Sequence, residues 1–121
     1  MAKHSNSATF VAVLLHSATN AHFMHLQTKS YAQHVALGDY YEAIVELTDK
    51  WAEAYQGAYE VIEAYPPDFH LAKDSVQYLK KIKDFVEAAR KTLPDDTHLQ
   101  NIIDEIVELL DSTIYKLVNL K

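Results

Sequence analysis

The stretch Asp39-Tyr40-Tyr41-Glu42-Ala43-Ile44-Val45-Glu46-Leu47-Thr48-Asp49-Lys50-Trp51-Ala52-Glu53-Ala54-Tyr55 contains neither glycine nor proline. Ile44, Val45, Trp51, Ala52 and Tyr55 recur at three- and four-residue steps, and the line runs on through Ala58, Tyr59 and Ile62. That period belongs to a helix with one apolar face, since a strand would alternate every second residue. Glu42, Glu46, Asp49, Glu53 and Glu60 make the opposite face acidic. The pattern predicts a helix ending near Tyr65, ahead of Pro66-Pro67, which no helix interior tolerates. Two starts fit it: Ser30 with Gln33 and Asp39 with Glu42 each have the spacing of a capping box.

Working outward, Phe10, Val11, Leu14, Ala18 and Ala21, with His25 next in line, predict a helix over about 6–28. No Asp, Glu, Lys or Arg occurs between Lys3 and Lys29. A surface helix in a monomer normally carries charge on its outer face. With Val13, His16, Phe23 and Met24 there instead, a second subunit is expected to cover it. Val76, Leu79, Ile82, Phe85, Val86 and Ala89 predict a third helix over about 69–92. Leu99, Ile102, Ile103, Ile106, Leu109, Leu110, Leu117 and Leu120 predict a fourth over about 96–120, opened by Thr97 with Gln100. The expected fold is all-α: a single domain, 1–121, forming an antiparallel four-helix bundle. The short link at Pro66-Pro67 points to up-down-up-down order.

Composition narrows the function classes. Cysteine is absent, which removes disulfides, thiolate metal sites and thiol nucleophiles and suits a reducing cytoplasmic setting. A net charge of −6 disfavours a broad nucleic-acid surface. The apolar run Ala8–Leu15 after Lys3 is short for a signal peptide, and no segment approaches the ~20 apolar residues of a membrane span. Neither a glycine-rich phosphate loop nor the strained nucleophile turn of a hydrolase is present.

The residues left with chemistry to offer are His22, His34, Asp49 and Glu53. Imidazole nitrogen and carboxylate oxygen together suit iron, with zinc and manganese as alternatives. No Glu-x-x-His pair exists in the chain, which argues against a di-iron site inside the bundle. Asp49 and Glu53 point away from the Trp51–Tyr55 face, so their metal needs donors from outside, most simply a second subunit. Asp39, Glu42 and Glu46 share the stripe as further candidate ligands.

These residues resemble the ferroxidase region of Dps-type mini-ferritins. The resemblance lies in His22-Phe23, His34 twelve residues on, and Asp49-Lys50-Trp51-Ala52-Glu53. It implies a ferritin-like fold and Fe(II) oxidation at a two-fold interface. His22 and His34 would come from one chain, and Asp49 and Glu53 from its partner. Homodimers built through the first two helices would assemble into a larger shell that stores or detoxifies iron. The family's further Asp, four residues after the second His, is Gly38 here, with Asp39 next to it. The other expectation is a non-catalytic helical interaction or assembly protein, bacterial or viral, that keeps the fold without the metal chemistry.

Overall fold

A computed structural model describes residues 6–121. The first five residues of the expected domain, Lys3 among them, lie outside the described residues. The chain is all-helical: α1 Asn6–Gln27, α2 Tyr31–Ala58, α3 Ser75–Ala89 and α4 Thr97–Asn119, with a 3-10 turn Arg90–Thr92 closing α3. Among the described residues there is no strand, and no helix is long and apolar enough to cross a membrane.

α2 begins at the first of its two candidate caps. Ser30 Oγ accepts from the Gln33 N–H, satisfying one of the open donors of the first turn. Asp39 is an exposed residue inside the helix. α4 departs from expectation: Asp96 holds the cap position, and Gln100 donates instead to the carbonyls of Arg90 and Pro94.

The larger departures are at the end of α2 and the start of α3. α2 stops at Ala58, not near Tyr65, and α3 starts at Ser75, not near 69. Residues 59–74 are irregular, with Ala64 in the left-handed region at φ 60. Ile62 is buried, as its place on the apolar line required, but its N–H bonds to Gln56 Oε1 rather than within a helix.

This segment changes the topology. Phe10 packs on Trp51 at 4.9 Å and on Phe85 at 6.3 Å, whereas Asn20, further along α1, meets Tyr78, and His22 meets Tyr41. α1 is therefore antiparallel to both α2 and α3. Lys50 pairs with Glu105 while Ser30 meets Lys121, and Lys83 pairs with Asp111 while Arg90 meets Asp104, so α4 is also antiparallel to both. The order is up-down-down-up, not up-down-up-down. Residues 59–74 form a long crossover that returns the chain to the opposite end before α3. Asn20 anchors it, donating to His70 O and Tyr78 Oη, each at 3.1 Å, and accepting from the Ala72 N–H at 2.8 Å.

Candidate metal centre

Thr28 builds the reversal between α1 and α2. Its hydroxyl accepts from the Ser30 N–H and donates to Gln33 Oε1. The tight turn sets His25, in the last turn of α1, opposite His34, in the first turn of α2. His25 Nδ1 lies 2.6 Å from the His34 carbonyl, and His34 Nδ1 lies 2.8 Å from the His25 carbonyl. Carbonyls only accept, so both Nδ1 atoms carry the proton. The two rings stack at 3.7 Å, 18° from parallel, and form a reciprocal clasp across the hairpin.

The clasp accounts for Gly38. A Cβ there would lie 3.0 Å from His25 Cε1 and 3.1 Å from Nδ1, so the ring occupies the space a side chain would need. His22 lies flat on Tyr41 at 4.1 Å and edge-on to His25 at 6.0 Å. Below them, the buried Tyr40 hydroxyl meets Ser17 Oγ at 2.8 Å, and burial pushes its phenol well above the usual tyrosine range. At the far end of α2, Tyr55 meets Tyr59 with rings tilted 33° apart at 5.3 Å, and Tyr59 bonds to Asp96, which lifts its phenol to about 12.

The structure gathers His22, His25 and His34 with Tyr41 but not the carboxylates. Asp39, Glu42, Glu46, Asp49 and Glu53 lie exposed on α2. Asp49 follows His34 by fifteen residues, about 22 Å along the helix axis. Among the described residues, no group of three or more His, Asp or Glu side chains is placed to hold a metal ion. Within one chain His25 stands between His22 and His34. A site that joins His34 to Asp49 therefore requires two chains.

The sequence places His25 on the apolar line, and the structure half-buries it with a hydrogen bond to the His34 carbonyl. The reciprocal bond from His34 was not foreseen, although a nine-residue interval spanning a Thr-Lys-Ser turn was its visible signal. Met24, expected on the outer face, is buried, while Phe23 is exposed.

The fold and this hairpin define a class: a small all-helical protein of two antiparallel helix pairs joined by one long crossover. The chain belongs to a family of unknown function, DUF5856, whose model matches residues 25–117. It is also similar to an uncharacterized 14.6 kDa protein encoded in the mobD-ri intergenic region of Enterobacteria phage T4. The two are 26% identical over 117 residues, spanning 95% of this chain and 90% of the phage protein. No solved structure matches.

Proposed function

We propose that the protein is a ferritin-like helical protein that binds Fe(II) between two copies of itself. His22 and His34 would come from one chain, and Asp49 and Glu53 from the other. The observation that carries this reading is the up-down-down-up order with a single long crossover. Ferritin-like bundles have one such connection, and simple up-and-down bundles have none. The connection was found independently of the ligand spacing, so two separate features support one resemblance.

The donor chemistry fits at three positions, His34, Asp49 and Glu53. The Nδ1–H of His34 is committed to a backbone carbonyl, which fixes the tautomer and leaves Nε2 as the acceptor nitrogen. Backbone carbonyls orient metal-ligating imidazoles in the same way. Asp49 and Glu53, one turn apart, form no ion pair with a described residue and project from α2 as free carboxylates. Iron bound there would be the substrate, giving one electron to oxygen or peroxide. The chain's task is to hold the ion and supply charge that favours the oxidised state.

Gly38 favours a second reading, a non-catalytic interaction protein. With His25 packed over the position where a further carboxylate is expected, the hairpin has a structural use for its histidines. A relative encoded by a bacteriophage suits a small viral assembly component equally well. Anaerobic Fe(II) titration of the wild type and of Asp49→Ala/Glu53→Ala separates the two. Saturable binding lost in the double variant supports iron. Equal behaviour of the two proteins leaves the interaction protein.

A further inference from the structure

One face of α1 is exposed in the fold, although His22 on it leans against Tyr41 of α2. Leu15, Thr19, His22 and Leu26 are all exposed, Leu26 at 67%, and Phe23 flanks them at 45%. They follow one another at intervals of four, three and four, which keeps them within about 60° around the helix. This is the spacing of a helix–helix seam. The other sides of α1 are taken. The crossover covers His16 through Phe69 and covers Asn20 through His70 and Ala72, and α2 covers His25. No Asp, Glu, Lys or Arg occurs from Asn6 to Gln27.

We infer that the occupant of this face is α1 of a second copy, running antiparallel about a two-fold axis between Asn20 and Ala21. The interval order four-three-four is the same read from either end. An antiparallel two-fold therefore sets Leu15 against Leu26 and Thr19 against His22 at both ends. Apolar side chains pair at the outside, and uncharged Thr19 faces His22 at the centre. A two-fold doubles every surface charge across the interface, and a helix without charge avoids that repulsion. Opposed helix dipoles add a small favourable contribution. The arrangement rests on the two-chain reading for the existence of a pair, and adds its orientation and register.

The chain has no cysteine, so introduced thiols report contacts without background. Sedimentation first establishes whether the wild type is a dimer. Leu15→Cys and Leu26→Cys proteins, each shown to be helical by circular dichroism, are then oxidised separately and as a mixture. The expected result is a disulfide dimer from the mixture and little from either variant alone, because a disulfide needs Cα atoms roughly 4.4–6.8 Å apart. A dimer in which Leu15→Cys cross-links to itself, or in which the mixture does not cross-link, overturns this register and leaves pairing intact. A monomeric wild type overturns both.

Discussion

Gly38 shows how one missing side chain can be a requirement. Alanine in a helix interior is favoured over glycine by about 1 kcal/mol, so Gly38→Ala should stabilise α2 if nothing opposed it. The His25 ring opposes it. It is bonded to the His34 carbonyl on one side and stacked on the His34 ring on the other, so it cannot give way without breaking both contacts. Forcing a methyl against it cancels the gain and costs about 1–2 kcal/mol, as overpacking elsewhere does. Gly57 is the internal control, because a Cβ there meets nothing within 4 Å. Urea denaturation should show Gly57→Ala stabilised by about 0.5 kcal/mol and Gly38→Ala destabilised. Equal stabilisation of the two would mean that the clasp is not rigid. The sequence carried the spacing of His22, His34, Asp49 and Glu53 but not this contact, because nothing local to Gly38 reveals which ring will lie on it.

At the scale of elements, the apolar periodicity located all four helices, and most of their inward residues are buried. It misplaced the link between α2 and α3 for a physical reason. Ile62 continues the line of Trp51 and Tyr55 and is buried, but irregular chain delivers it there. A periodic pattern records burial, and burial does not require that the helix persist. With the link judged short, the parallel run of α2 and α3 was hidden. The residue that holds the crossover, Asn20, bonds mainly to backbone groups fifty or more positions away, which no local pattern reports. Asn20→Ala leaves the part-buried Ala72 N–H and His70 carbonyl without their side-chain partner, a loss of about 1–2 kcal/mol if the segment stays in place. The segment is instead expected to detach locally. Amide exchange should rise over residues 66–74 well before it rises in α4, and proteolysis should cut there first. Uniform acceleration across all four helices would show that the crossover and the bundle unfold as one unit.

For the whole molecule, the α1 register and the iron reading make a joint prediction that neither makes alone. His22 on Tyr41 and His25 over Gly38 fix the relative height of α1 and α2. The midpoint of the α1 stripe is thereby level with Tyr41 and Glu42. His34 and Asp49 lie seven to eight residues to either side of that level, about 11 Å each way along the axis. An antiparallel two-fold exchanges the two directions and so brings His34 of one copy to the height of Asp49 of the other, a match that the 22 Å separation forbids within a chain. Iron binding should then depend on pairing. Leu26→Glu replaces no proposed ligand, yet it should yield a monomer and reduce Fe(II) affinity at least tenfold. Asp49→Asn should reduce affinity similarly while sedimenting as the wild type does. Both variants change exposed side chains, so circular dichroism should report an unaltered helix content. A monomeric Leu26→Glu protein that still binds Fe(II) like the wild type would place the metal within one chain and remove the two-fold from its chemistry.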